Sequence, residues 1–91
     1  MWKILSTDSF SKEFKKHKKD GEIVKALNNK IKHLKENPYF GDRLSGNLHG
    51  YFSTRLVKNF RLIYKIIKEN NEVRLSAIDH RKFKYGNLRL E

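Results

Sequence analysis

The chain has 91 residues, a length that suits one domain over residues 1–91 with a modest core, so a deep enclosed active site is not expected. It carries 21 Lys and Arg residues against 10 Asp and Glu, and the resulting net charge of +11 indicates a polyanionic partner. There is no cysteine, which excludes disulfides, a thiol nucleophile and cysteine-type zinc sites, and because the four histidines lack ligand spacing we expect no metal and no cofactor.

The N-terminal segment "WKIL" predicts a short strand, and "STDS" after it offers side chains that cap the start of a helix. Its apolar run is too short for a signal peptide, and no other run approaches the roughly 20 residues of a membrane-spanning helix. We therefore expect a cytoplasmic protein without a membrane partner.

Two helices are predicted next. A first helix over residues 8–18 places Phe10 and Phe14 on one face, four residues apart. A break follows at "KKDGE", where Gly21 tolerates the backbone angles of a turn, and Pro38 ends the second helix. The apolar residues of that second helix recur at helical spacing and are Ile23, Val24, Leu27, Ile31 and Leu34.

Three later segments, "YFSTRLV", "FRLIYKIIK" and "EVRLSAIDH", predict an antiparallel meander with turns at residues 58–59 and 69–71. In the middle strand both faces are largely apolar: Phe60, Leu62, Tyr64 and Ile66 share one face, and the cations Arg61 and Lys65 lie on the other with Ile63 and Ile67. In the last strand it groups Val73, Leu75 and Ala77 on one face. The predicted fold is α+β: an N-terminal strand, a two-helix hairpin and an antiparallel β-meander, with the helices on one face of the sheet and the other face open for a site.

Together these segments, from "FSKEFKKHKKD" through "RLSGNLHGYFSTRLVKNFRLIYKI" to "AIDHRKFKY", resemble the RelE/ParE superfamily of toxins from toxin–antitoxin modules. The most specific part is "FRLIY", where the family has an aromatic residue, an arginine and an aliphatic pair that ends in tyrosine. The resemblance implies an endoribonuclease that cuts messenger RNA on the ribosome by metal-independent attack of the RNA's own 2′-hydroxyl, and a cognate antitoxin that neutralises it. The alternatives are a ParE-like inhibitor of DNA gyrase and an inactive RNA-binding domain.

By the same resemblance, Arg61 matches the arginine of RelE-type nucleases, and its planar guanidinium suits a phosphate. Arg55 lies where those toxins carry a basic residue on the preceding strand, and because arginine stays protonated it would stabilise charge rather than accept a proton. Ser53 stands where RelE has a second basic residue, so a strictly RelE-like base does not carry over. Structurally, both arginines could instead be solvated or paired with Glu69 or Glu72.

The C-terminal segment "DHRKFKY" resembles a family pattern that puts His80, Arg81 and Tyr85 at the active face. Histidine can act as base or acid near neutral pH, Arg81 can hold phosphate charge, and Tyr85 can stack on a base. Asp42 lies near the carboxylate that YoeB-like toxins use as a base, so the resemblance implies it as the alternative general base. His80 could instead be a capping residue, and Tyr85 an anchor for the tail. The predicted nucleic-acid contacts are Lys58, Lys82 and Lys84.

Overall fold

The computed structural model describes residues 1–80, and the predicted site residues that lie outside this part are Arg81, Lys82, Lys84 and Tyr85. The helices and strands are β1 (Lys3–Ser6), α1 (Asp8–His17), α2 (Gly21–Glu36), β2 (Asp42–Arg43), β3 (Tyr51–Arg55), β4 (Phe60–Ile67) and β5 (Glu72–His80). The predicted α+β order is confirmed. Across residues 1–80, no helix is both long and apolar enough to span a membrane.

The five strands form one sheet in the order β1-β5-β4-β3-β2. The strands β2, β3, β4 and β5 pair antiparallel along the sheet, whereas β1 pairs parallel with β5, which makes the sheet mixed. The predicted meander is confirmed. The sequence pattern did not indicate β2, because a strand of two residues is too short to show alternation.

Side-chain caps set the start of both helices. The Thr7 hydroxyl accepts a hydrogen bond from the Phe10 N–H at 3.2 Å and donates one to the Leu75 carbonyl at 2.9 Å, which ties the start of α1 to β5. At α2 the Asp20 carboxylate accepts the Glu22 N–H at 3.1 Å. The role predicted for Gly21 is wrong: it is the first residue of α2, with no positive φ, and Asp20 caps the helix before it.

The core lies between the two helices and one face of the sheet. Phe10 and Phe14 stack with ring centroids 6.2 Å apart, as the four-residue spacing predicts. In the middle strand Leu62 and Tyr64 are fully buried on this side, which confirms the predicted apolar face. The central cluster consists of Phe10, Leu27, Leu34, Phe52, Leu62, Tyr64, Val73, Leu75 and Ile78.

A β-bulge at Ser76 changes which side chains β5 presents to the core. The pairing register shifts between Ile63 and Tyr64 of β4, and Ser76 is the β5 residue that is passed over. An extra residue in one strand breaks the two-residue alternation beyond it. The prediction that residues 73, 75 and 77 share one face is therefore wrong for Ala77. The core cluster contains Ile78 instead.

The face of the sheet away from the helices is only partly open. Ser53, Ile63 and Ala77 occupy equivalent positions on β3, β4 and β5, and all three are buried. The expectation of a free second face is therefore corrected: its centre is buried, and accessible side chains lie toward the ends of the strands and the β2 edge.

Candidate functional site

Charged side chains of three neighbouring strands meet in one row on the second face of the sheet. Arg55 of β3 lies opposite Arg61 of β4, and Arg61 lies opposite Asp79 of β5. Residues directly opposite each other on neighbouring strands project to the same face. The structure therefore brings together the two arginines that the sequence singled out.

The guanidinium of Arg61 is held by two hydrogen bonds. Its Nη2 donates to Asp42 Oδ2 at 2.8 Å, and its Nε donates to Ser53 Oγ at 2.5 Å. The Arg61 side chain is 21% exposed, whereas that of Asp42 is 78% exposed. These contacts fix the orientation of the guanidinium and use two of its five N–H groups. The alternative of an ion pair is realised for Arg61 with another partner than predicted, because Arg61 pairs with Asp42 while Glu72 pairs with Arg74.

Arg55 is exposed and adds a second positive charge beside Arg61. Two cations directly opposite each other on neighbouring strands repel, so the row needs nearby negative charge. Asp42 and Asp79 supply it, on β2 and β5 respectively. An arrangement of two arginines with flanking carboxylates can bind a phosphate when the anion replaces a carboxylate as partner.

Asp79 was missed in the sequence, although it is 9% exposed and lies opposite Arg61. Strict alternation along β5 would have placed it on the core face with Val73 and Leu75. The bulge at Ser76 moves it to the Arg61 face. The sequence feature that could have indicated Asp79 is the aspartate itself, because a carboxylate in an apolar strand requires a partner.

His80 lies on the other face of the sheet. It is opposite Phe60, and the two rings meet edge to face with centroids 5.0 Å apart. His17 contacts the same Phe60 ring at 4.8 Å. The described structure therefore does not bring His80 to Arg61, because the bulge that places Asp79 on the Arg61 face places its neighbour on the helix side.

Lys58 lies in the turn between β3 and β4, where it and Asn59 have φ of 57° and 66°, as a type I′ hairpin turn requires. Its Nζ is 2.9 Å from Asp20 and 3.9 Å from Glu22. The hydrogen bond from Lys58 lowers the pKa of Asp20, and the same bond raises the pKa of Lys58. Lys58 therefore joins the hairpin tip to the start of α2, and a phosphate would have to displace these carboxylates.

The segment before Asp42 is fixed to β4 by a buried tyrosine. The Tyr64 hydroxyl donates a 2.8 Å hydrogen bond to the Pro38 carbonyl, and burial raises the pKa of Tyr64 to about 12. A Cβ atom at Gly41 would overlap the Tyr64 hydroxyl and lie 3.1 Å from the Ser53 carbonyl oxygen. Glycine is therefore required at this close approach, which positions Asp42 beside Arg61.

Within residues 1–80, no group of three His, Asp or Glu side chains is arranged to hold a metal ion. The candidate site is instead built from arginine, serine and carboxylate side chains.

A family model described as a ParE-like toxin of the type II bacterial toxin–antitoxin system matches residues 4–89. The chain belongs to this family. The match spans nearly the whole sequence, so the predicted superfamily is confirmed. A search of curated protein sequences gave no match.

Solved structures of other toxins have the same fold as this ParE-like toxin. A YoeB/ParE toxin from Agrobacterium tumefaciens is 22% identical with a TM-score of 0.77, over 86% of this chain and 96% of that one. YafQ from Escherichia coli is 21% identical with a TM-score of 0.75, over 94% and 100%. The toxin–antitoxin complex RelBE2 from Mycobacterium tuberculosis contains a chain that is 28% identical with a TM-score of 0.73, over 88% and 98%.

Proposed function

We propose that this toxin is a metal-independent endoribonuclease that cleaves messenger RNA on the ribosome. The observation that carries the proposal is the pair of arginines, Arg55 and Arg61, on one face of the sheet, with the exposed carboxylate of Asp42 at 2.8 Å from Arg61. Cationic donors that are already oriented stabilise a negatively charged transition state most effectively.

The reaction begins when the 2′-oxygen of a ribose attacks the adjacent phosphorus. The 2′-hydroxyl loses its proton to a base, the bond from phosphorus to the 5′-oxygen breaks, and that oxygen takes a proton from an acid. The products are a 2′,3′-cyclic phosphate and a new 5′-hydroxyl. Arg61 and Arg55 neutralise the charge on the pentacoordinate phosphorus, for which the forked geometry of a guanidinium is suited.

Of the two residues that the sequence analysis offers as the general base, His80 and Asp42, Asp42 is the better candidate. Its carboxylate is 78% exposed and lies on the same face as Arg61, whereas His80 packs against Phe60 on the opposite face. An ionised carboxylate has free lone pairs with which to accept a proton. By the family resemblance, Arg81 holds charge on the phosphate or on the leaving 5′-oxygen, and Tyr85 stacks on a base of the RNA.

The proposed partners are the ribosome, messenger RNA and a cognate antitoxin, all met in the cytoplasm. The net charge of +11 favours association with RNA and with an acidic partner chain. RelBE2 from Mycobacterium tuberculosis and YoeB–YefM from Staphylococcus aureus are toxin–antitoxin complexes, and each contains a chain with the fold of this protein. A groove of about 310 Å³ between α1 and α2, which includes Phe14 and Ile31, has room for an apolar anchor of an antitoxin.

A second candidate function is inhibition of DNA gyrase without nuclease activity. It is supported by the description of the matching family model, which names ParE-like toxins. On this alternative the two arginines are part of a protein-binding surface.

Primer extension on cellular transcripts after brief induction tests the proposal. We expect cuts inside translated codons with the unaltered chain and a loss of about 100-fold or more in cleavage with Arg61→Ala, the scale of losing one transition-state donor. Arg74→Ala is the matched control, because Arg74 is an exposed arginine on the same sheet that pairs with Glu72. Purified ribosomes with a defined messenger RNA test whether cleavage requires the ribosome.

A stably folded Arg61→Ala protein that still cuts transcripts at the original rate would sink the nuclease mechanism. Growth arrest with intact transcripts, together with loss of gyrase supercoiling activity in vitro, would instead establish the gyrase alternative.

A further inference from the structure

Two large aromatic side chains are exposed beside the site just described. Tyr39 is 45% exposed and Phe40 is 42% exposed, and both lie on the short 3₁₀ turn that follows α2. The Asn37 side chain caps this turn by accepting the Tyr39 N–H at 3.1 Å. The turn therefore holds both rings at the surface rather than leaving them on a loose loop.

These rings belong to an aromatic patch in which rings are in contact with cations and with one another. Lys30 Nζ lies 5.4 Å from the centroid of the Phe40 ring, and His33 contacts the same ring edge to face at 6.2 Å. Tyr39 contacts the ring of Phe52 at 6.3 Å. The residues of the aromatic patch are Trp2, Lys30, His33, Tyr39, Phe40 and Arg43, and the buried core ring of Phe52 contacts Tyr39 and Arg43 at its base.

The edge strand β2 connects the aromatic patch to the catalytic arginines. Its first residue, Asp42, faces Arg61, while its second residue, Arg43, lies over the Phe52 ring with its guanidinium carbon 5.7 Å from the centroid. Successive residues of a strand project to opposite faces. A chain that passes over the β2 edge therefore meets the Arg61 site on one side and the aromatic patch on the other.

We propose that the aromatic patch binds single-stranded RNA next to the cleavage site, with bases stacked on Tyr39 and Phe40 and phosphates neutralised by Lys30 and Arg43. Aromatic rings interleaved with cations are the usual composition of surfaces that bind single-stranded nucleic acid. The proposal rests on the proposed function in taking RNA as the ligand. It goes beyond that function by naming the residues that hold nucleotides flanking the scissile phosphate.

The composition of the aromatic patch favours RNA over a partner protein. An apolar docking surface for a protein would be depleted of lysine at its centre, whereas Lys30 lies directly over the Phe40 ring. The nearest carboxylate of β2, Asp42, is turned away to Arg61. The charged groups that lie over rings of the aromatic patch and its base are the cations of Lys30 and Arg43, whose charge is complementary to phosphate.

Binding of a short 2′-O-methyl RNA oligonucleotide, followed by fluorescence anisotropy at low salt, tests the proposal directly. This RNA lacks the attacking hydroxyl, so binding is measured without cleavage. We expect Tyr39→Leu and Phe40→Leu each to weaken binding by about tenfold, the scale of removing one stacked base. Leucine keeps an apolar side chain and removes only the ring.

Leu5→Ala is the matched control, because Leu5 is also 45% exposed but lies on β1 at the other edge of the sheet. Its affinity for RNA should equal that of the unaltered chain. Lys30→Gln should reduce the slope of log affinity against log salt concentration by about one. Because Lys30 lies on α2, this variant leaves the residues of the 3₁₀ turn unchanged. Trp2 is the only tryptophan and contacts Tyr39 at 5.7 Å, so its emission should change when RNA binds.

The proposal is overturned if the unaltered chain does not bind this RNA, or if both leucine variants bind it as the unaltered chain does. Variants that keep RNA affinity but lose affinity for an antitoxin would make the aromatic patch a protein surface, which also overturns it. Loss of RNA binding in the variants, with transcripts never cut by the unaltered chain, would support the aromatic patch and reject the nuclease. The two proposals therefore fail separately.

Discussion

The guanidinium of Arg61 on β4 reaches across β3 to the carboxylate of Asp42 on β2, 2.8 Å away. Neighbouring strands lie about 4.8 Å apart, so the contact spans two strand spacings and requires the extended length of an arginine. Ser53 on the intervening strand accepts a hydrogen bond from the same side chain. The position of the cation is thus determined by three strands together.

Replacement of Asp42 by asparagine should reduce RNA cleavage much more than replacement of His80 by glutamine. Asparagine keeps the shape and can still accept a hydrogen bond from Arg61, but it cannot take a proton from the 2′-hydroxyl. General-base catalysis contributes on the order of 100-fold or more, which is the loss we expect for Asp42→Asn. The rates are measured with ribosomes and a defined messenger RNA, after thermal unfolding has verified both folds. Equal losses for both variants would remove the assignment to Asp42.

Alanine at Gly41 should destabilise the protein by about 1–3 kcal/mol, because its Cβ atom overlaps the Tyr64 hydroxyl. Tyr64→Phe alone should cost about 1 kcal/mol, since the Pro38 carbonyl loses its donor in a buried position. The double variant should be less destabilised than the sum of the two, by at least about 0.5 kcal/mol, because phenylalanine removes the overlapping oxygen. Chemical denaturation gives all three values. If the two single destabilisations simply add in the double variant, the Tyr64 hydroxyl is not what the added Cβ atom overlaps.

Stability should fall at alkaline pH more steeply in the unaltered chain than in Tyr64→Phe. Burial raises the pKa of Tyr64 from 10.0 to about 12 in the folded protein. A raised folded-state pKa contributes stability that is fully present below about pH 10 and is lost as pH rises toward 12. Lysines titrate in the same pH range in both proteins, so the difference between their unfolding free energies reports the ionisation of the Tyr64 hydroxyl alone. Parallel curves over that interval would contradict the assignment.

Removal of the Asp20 carboxylate should lower the melting temperature, and Asp20→Ala should lower it more than Asp20→Asn. Asparagine still caps α2, while both substitutions end the ion pair with Lys58. The hydrogen bond from Lys58 lowers the pKa of Asp20, so the stability it contributes is present above the ordinary value of 3.8 and lost as pH falls below it. Lys58→Met should reproduce the loss of the pair without the loss of the cap. A larger effect from Lys58→Met than from Asp20→Ala would refute this order.

Much of the fold is readable from local pattern. The helical spacing of apolar residues gives α2, Pro38 gives its end, and the two-residue alternation gives β4 with Arg61 off the core face. The turn at Lys58 and Asn59 is likewise local, because its geometry depends on those two residues.

The sequence by itself determined the family, the order of the elements and the presence of two arginines on neighbouring strands, since these depend on residue type and short-range spacing. Only the tertiary structure decided which carboxylates accompany those arginines. Asp42 comes from a strand too short to show a pattern, and Asp79 reaches the Arg61 face because a bulge at Ser76 reverses the alternation of β5. The same bulge turns His80 toward Phe60. A bulge depends on how β4 and β5 pair along their whole length, and that pairing minimises the free energy of the whole sheet rather than of any local segment.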